Sequence, residues 1–407
     1  MKAIQYRRSV PRYLLVRAFA GHWPAVATGR LGLVGLHEIS LPGLLTDRWV
    51  RIRTRLCGIC GSDLATILAQ GSPYFSALTS FPFVLGHEIV GVIDRVGPAV
   101  ADLVPGERVT IEPVLGCAVR EIAAPCAQCR AGNTGNCERT THGPLAPGIQ
   151  TGFCRDTGGG FSPFFLAHAS QVRRLPDALS DEAAVLIEPF SCALHAALKP
   201  ELPAGATALV LGTGTMGLLT IAALRAAGRR ARVIAVAKYP HQAALAEALG
   251  ADLVVRASRE LYADLCRATG AELHRPALGK PVLCGGADVT FDCIGSADTI
   301  DDALRFTRAH GTVVLVGMPA VPQGVDWTSI WYKELQVVGA YTQGTEVVGG
   351  QAVRTFELAT RLMLERGAEL APLVSTRFPL RDFRQAIAHA LASGRRGAVK
   401  TVFEFKE

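Results

Sequence analysis

"ALVLGTGTMGLLTIAAL", residues 208–224, sets a short apolar run against a glycine-rich turn and then an apolar helical pattern. Gly212, Gly214 and Gly217 stand at G-x-G-x-x-G spacing. Glycines there let the chain turn tightly and let a pyrophosphate approach the free N–H groups at a helix start. A strand before the turn and a helix after it are the context this fingerprint requires, so Gly212, Thr213, Gly214, Thr215, Met216 and Gly217 are read as a dinucleotide site. The alternative is a turn that serves packing alone. Leu202 to Leu224 carries no charge and by length would span a membrane. Pro203, Gly205 and four threonines among these glycines read far better as strand, turn and helix.

Working outward, "RVIAVA", "ADVTFDCIG", "GTVVLVG" and "LQVVGAY" are apolar runs without polar alternation, as expected for strands buried on both faces of a parallel sheet. Residues 255–283 lack clear strand signals and are read as a helix and an excursion. After Tyr341, "GGQAVRTFELATRLMLERG" (349–367) reads as a helix, and "RRGAVKTVFEF" (395–405) as a return to the first domain. The first 190 residues, rich in Gly and Pro, break into short strands such as "WVRIRTRL" and "EIVGVIDRV". At 407 residues the chain is too long for one ordinary core, which favours two domains.

The second strand of the parallel sheet bears on cofactor choice. An acidic residue at its end binds the ribose 2′-OH of NAD, but Ala237 stands there, followed by Lys238 and Tyr239. A missing carboxylate removes repulsion of a 2′-phosphate, and the cation attracts it. NADP is therefore expected over NAD, with NAD still possible.

The chain is 49% hydrophobic and 19% charged, as folded proteins are. Its net charge of +7 is scattered, with no basic run of five, which argues for a solvated surface and against nucleic acid. "RRSVPRYLLVRAF" (7–19) imitates a twin-arginine export signal, but Arg12, Arg17 and His22 interrupt the apolar core such a signal needs. It is read as an ordinary first strand or two, and no membrane partner is expected. Eleven cysteines, an odd number, without an export signal speak for metal-binding thiols in a reducing cytoplasm rather than for disulfides.

Cysteines, histidine and acids recur in ordered motifs: "GICGSD" at 58–63, "GHE" at 86–88, "CAQCRAGNTGNC" at 126–137, "GGGFSPFFLAHASQVRRLPD" at 158–177, "LIEPFSCALHA" at 186–196 and "FDCIG" at 291–295. With the glycine turn, this series resembles the zinc-containing medium-chain dehydrogenase/reductase family over essentially the whole length. The resemblance implies an α/β chain with a GroES-like, β-rich catalytic domain over 1–189 and 345–407. It also implies a doubly wound Rossmann domain over 190–344, with the active site in the cleft between the two. Cys60 and His87 match the family's catalytic zinc ligands, and Glu188 the third-ligand position. Glu88 matches a neighbouring carboxylate able to reach the metal. Asp63 matches the carboxylate that orients the ligating histidine, and Ser62 the hydroxyl that passes the substrate proton outward. One departure is Ala65, where ethanol-type members carry the relay histidine, so the proton exit differs.

The resemblance also implies a structural zinc lobe at about 112–142. Its first cysteine usually lies three residues before the second, a place held here by Ala123. Cys117, nine residues before Cys126, is inferred to complete a four-thiolate site with Cys126, Cys129 and Cys137, with His142 in reserve. The resulting expectation is a cytoplasmic zinc-dependent alcohol dehydrogenase with two zinc ions per chain. It would move hydride between NADP and a secondary alcohol, polyol or sugar, as a homodimer or homotetramer. The alternatives are a reductase of C=C or C=N bonds in the same fold, or a noncatalytic NADP-binding protein.

Overall fold

Six strands assemble into one wholly parallel sheet in the unit Pro189–Thr342; Thr207–Leu211, Arg232–Ala237 and Ala287–Asp292 inside it are buried on both faces, whereas Gln336–Gly339, expected to be so, is an edge strand and largely exposed. Its six strands, Thr207–Leu211, Arg232–Ala237, Leu253–Arg256, Ala287–Asp292, Thr307–Leu315 and Gln336–Gly339, lie in the spatial order 3-2-1-4-5-6. The first and fourth strands are neighbours, so connections leave the sheet in opposite directions there and open a crevice at the strand ends. The helices Thr215–Ala226 and Pro240–Ala248 follow the first two strands. Leu218, Leu219, Ile221 and Leu224 of the first helix are fully buried, each contributing about 1.5–3 kcal/mol of apolar transfer free energy. The excursion after residue 255 holds the expected helix, Leu261–Thr269. It also holds a small hairpin, Glu272–His274 with Val282–Cys284, whose three-residue strands are too short to register as an alternating pattern.

The other unit comprises Met1–Glu188 and the chain from Gln343 onward. The computed structural model describes Met1–Lys406. Here a seven-stranded sheet runs Val374–Pro379, Lys400–Glu404, Trp49–Gly58, Glu88–Val96, Arg108–Ile111, Val172–Arg174, with Phe164–His168 also paired to Trp49–Gly58. A three-stranded sheet joins Val34–Glu38, Lys2–Tyr6 and Phe83–Val84. The last strand returns as expected, setting Val402 opposite Gly58; on the other side of that strand Gly58 lies opposite Glu88.

Two readings are corrected. Residues 7–19 are not strand: the first strand ends at Tyr6, and Val10–Phe19 is a helix. Pro11 in its first turn presets a helical φ, and Tyr13, Val16 and Ala20, the inward positions, recur at helical rather than alternating spacing. The helix expected over 349–367 begins only at Thr355. Before it, Thr345–Val348 and Gln351–Arg354 form a hairpin across Gly349 and Gly350, whose φ of 59° and 79° suit the tight turn that matches strand twist. Among the described residues no helix is long and apolar enough to cross a membrane.

Candidate metal and cofactor sites

Cys60 is the N-cap of the helix Gly61–Ile67, which puts Ser62 and Asp63 in the first turn. Asp63, wholly buried, accepts the Cys60 N–H on Oδ2 at 3.0 Å. Its other oxygen lies 3.6 Å from Nδ1 of His87, too long for a hydrogen bond, and both atoms are buried without a partner. A small tilt of the ring joins them and leaves Nε2, 3.5 Å from Ser62 Oγ, as the ligating atom. Gly86, at φ 95°, makes the bend that delivers His87; a Cβ there would meet Phe161 at 2.5 Å and Cys57 Sγ at 2.8 Å.

Charge around this imidazole is negative. Burial opposes protonation of His87, but Asp63, Cys60 and Glu188 outweigh it and raise its pKa to about 10. Glu188, 5% exposed, sits in the first turn of the helix Ile187–Leu198. Cys60, His87 and Glu188 are donor types that suit zinc, but unlike the lobe cysteines below they do not form a group whose ligand atoms all lie within 4.8 Å of one another. Asp63 itself is raised above the usual carboxylate range, by burial first and Glu88 in addition, with His87 pulling the other way. Cys57, fully buried, is raised by burial and stays a core thiol.

Glu88 has a partner that sequence reasoning missed. Its carboxylate forms a buried ion pair with Lys400, which also donates to the Ile59 carbonyl at 3.2 Å. Burial opposes the lysine's charge, yet Glu88, Cys60 and Glu188 raise its pKa. Gly58 makes the room: a Cβ there would fall 1.9 Å from Glu88 Oε2. The available signal was the cation at the start of the final strand.

The four lobe cysteines converge. Among the described residues they are the only group whose ligand atoms all lie within 4.8 Å of one another. Sγ of Cys137 is 3.6 Å from Cys117 and 4.0 Å from Cys126. Thiolates on a tetrahedral zinc stand about 3.8 Å apart, whereas a disulfide needs about 2.05 Å. The N–H groups of Cys117, Cys126 and Arg139 each donate to a cluster sulfur at 3.4 Å. Against the cost of burial, the backbone N–H groups of Cys129 and Glu138 and the thiols of Cys129 and Cys117 lower Cys126 to about 6, while Cys137 is pushed to about 11 by burial and crowding among thiols. His142 lies outside the group.

Residues 118–125 hold a second missed feature. Arg120 is fully buried and donates to five carbonyls, those of Leu115, His142, Leu145, Ala146 and Gly148, at 2.7–3.2 Å. Residues 118–125 are thereby fastened to the stretch 142–148. The hairpin before Thr355 docks on the same lobe, with Arg354 paired to Glu112 and donating to the Gly132 carbonyl at 2.9 Å.

In the parallel-sheet unit, Gly214 caps the helix Thr215–Ala226 and has open space where a Cβ would stand. Gly217 cannot be replaced, because its Cβ would lie 1.7 Å from the Gly212 carbonyl. Gly212 itself has φ 87° and abuts Ile294. The buried Thr213 hydroxyl lacks a partner. An open backbone at a helix start with an unpartnered hydroxyl beside it fits a pyrophosphate. Ala237 closes the second strand; Lys238 is exposed, its Nζ 5.9 Å from the Tyr239 ring centre. Arg256, not foreseen, is exposed on the neighbouring strand opposite Ala237.

Residues 46–177 match the alcohol dehydrogenase GroES-like domain, and residues 215–357 match the zinc-binding dehydrogenase family. L-idonate 5-dehydrogenase of Vitis vinifera is 29% identical over 356 residues, 87% of each chain. L-threonine 3-dehydrogenase of Anaeromyxobacter dehalogenans is 30% identical over 363 residues, covering 89% of this chain and 93% of that one. A Sinorhizobium meliloti structure described as a zinc-binding dehydrogenase bound to NADP superposes with a TM-score of 0.70 at 26% identity, over 91% of this chain and 96% of that one.

Proposed function

Because the chain belongs to the zinc-containing medium-chain dehydrogenase family, and is thus an oxidoreductase acting on alcohols, we propose that Cys60, His87 and Glu188 hold its catalytic zinc and that NADP is its preferred cofactor. When bound, the zinc supplies Lewis acidity toward a hydroxyl or carbonyl oxygen, and the nicotinamide accepts or returns hydride. The observation that carries the reading is the buried pair Asp63–His87, with facing unpartnered atoms, anchored at its acid end by the Cys60 N–H.

The chain's own residues do the rest. Asp63, anchored through Oδ2, fixes the ring so that Nε2 faces the ligand position. Ser62 Oγ, beside Nε2, takes the substrate proton, and Ala65 offers no imidazole to pass it on, so it leaves to water or cofactor hydroxyls. Lys400 neutralises Glu88, so that two carboxylates are not left facing one cation. In this reading Glu88 tunes the site and can exchange onto the metal only by leaving Lys400.

The preference for NADP is supported by Ala237, Lys238 and Arg256, two exposed cations with no acid between them. The substrate class we favour is a secondary alcohol, polyol or sugar. Eleven free cysteines support a reducing cytoplasm. A homodimer or homotetramer is supported by the edge strand Gln336–Gly339, whose Val337 is exposed, beside the exposed Trp331 and Tyr332. Cys60→Ala tests the core of the reading: turnover of every alcohol should vanish while NADPH binding, followed by its fluorescence, persists. Undiminished turnover would exclude the assignment.

A further inference from the structure

One apolar face of the helix Val10–Phe19 is uncovered. Val16 and Ala20 are buried, while Val10, Leu14 and Phe19 are 59%, 60% and 46% exposed. Trp23, 62% exposed, stacks on Phe19 with ring centres 5.9 Å apart. Single exposed apolar residues are ordinary, but four large ones in one patch mark a surface that something covers. At about 100° per residue, the exposed arc runs from Val10 through Leu14 and Ala18 to Phe19, with Arg17 and Arg12 just beyond its two edges.

Charge identifies the occupant. Residues 1–37 contain Lys2, Arg7, Arg8, Arg12, Arg17 and Arg30 and no Asp or Glu. They carry +6 of the chain's +7, leaving +1 for the other 370 residues. All six are exposed, and none forms an ion pair among the described residues. Arg7 reaches Gln5, Arg8 lies over the Phe81 ring, and Arg17 reaches the Tyr13 hydroxyl and the Ala69 carbonyl. The partner is therefore anionic. A second copy meeting the same face by two-fold symmetry would set these cations against their equals. Nucleic acid would use the arginines and leave the aliphatic stripe in water. An anionic bilayer uses both, with phosphates at the rim and acyl chains under the stripe.

We propose that Val10–Trp23 rests on an anionic lipid bilayer, with Val10, Leu14, Phe19 and Trp23 at the acyl boundary and Arg12 and Arg17 on lipid phosphates. This is a surface contact, not a span, and it revises the expectation of no membrane partner. It is independent of the dehydrogenase chemistry.

The test is flotation of the full chain with vesicles of phosphatidylcholine alone or with about one-third phosphatidylglycerol. The chain should float only with the anionic vesicles, and less so as salt rises. Leu14→Ser with Trp23→Ser should lower partition at least about tenfold, and Arg12→Gln or Arg17→Gln about fivefold each. In the unmodified chain, brominated anionic lipid should quench tryptophan fluorescence, and Trp23→Phe should remove that quenching. Failure to float at low salt overturns the proposal. So does unchanged binding of the double serine variant, which would signify a polyanion contact by charge alone. A fall in sedimenting mass in that variant would show that another copy covers the face and would overturn it equally.

Discussion

Lys400→Met isolates the buried ion pair beside the proposed catalytic metal. Lys400 and Glu88 side chains are 3% and 1% exposed, and both press on Gly58, where a Cβ would fall 1.9 Å from Glu88 Oε2 and 2.8 Å from Lys400 Cε. Removing one partner of a buried pair costs about 3–5 kcal/mol, because the survivor stays charged and unsolvated. For a unit of this size that is a fall in Tm of about 10 °C. Lys400→Met with Glu88→Gln removes both charges and should return to within about 1 kcal/mol of the parent. The pH response gives a second reading. Lys400 is raised from 10.5, so its contribution is complete below that value and lost only as pH climbs through the higher folded value. The parent should thus show no loss from this group near neutrality. Calorimetric Tm values of both variants between about pH 5 and 8 decide the matter. A Lys400→Met shift under about 2 °C, or a double variant as unstable as the single one, would refute the reasoning.

Ala237→Asp puts a carboxylate where a 2′-phosphate would sit beside Lys238 and Arg256. Repulsion across about 5 Å in a half-solvated site is worth about 1–2 kcal/mol, so the kcat/KM ratio should shift toward NAD by about five- to thirtyfold; an unmoved ratio would assign the preference to other residues. Analytical ultracentrifugation should find a dimer or tetramer at micromolar concentration, and Val337→Lys on the exposed edge strand should lower its mass. A monomeric parent would remove the oligomer from the account.

The parallel sheet was legible because strands buried on both faces leave uninterrupted apolar runs, and the glycine turn because Gly217 has no alternative at 1.7 Å from a carbonyl. The lobe's fourth thiol was legible by counting, since three thiolates do not close a tetrahedron. The helix Val10–Phe19 escaped because its buried side is narrow while its exposed side is apolar as well, which erases the contrast that marks an amphipathic helix. Lys400 and Arg120 escaped for another reason. Glu88 lies 312 residues from Lys400 and meets it only through strand register, and the five carbonyls that hold Arg120 leave no side-chain signature.

Anomalous diffraction at the zinc absorption edge from crystals of the full chain locates both metal sites at once. Two peaks per chain are expected, one among Cys117, Cys126, Cys129 and Cys137, the other bounded by Cys60 Sγ, His87 Nε2 and a Glu188 carboxylate oxygen. A single peak at the four cysteines, with His87 turned from Cys60, would contradict the account.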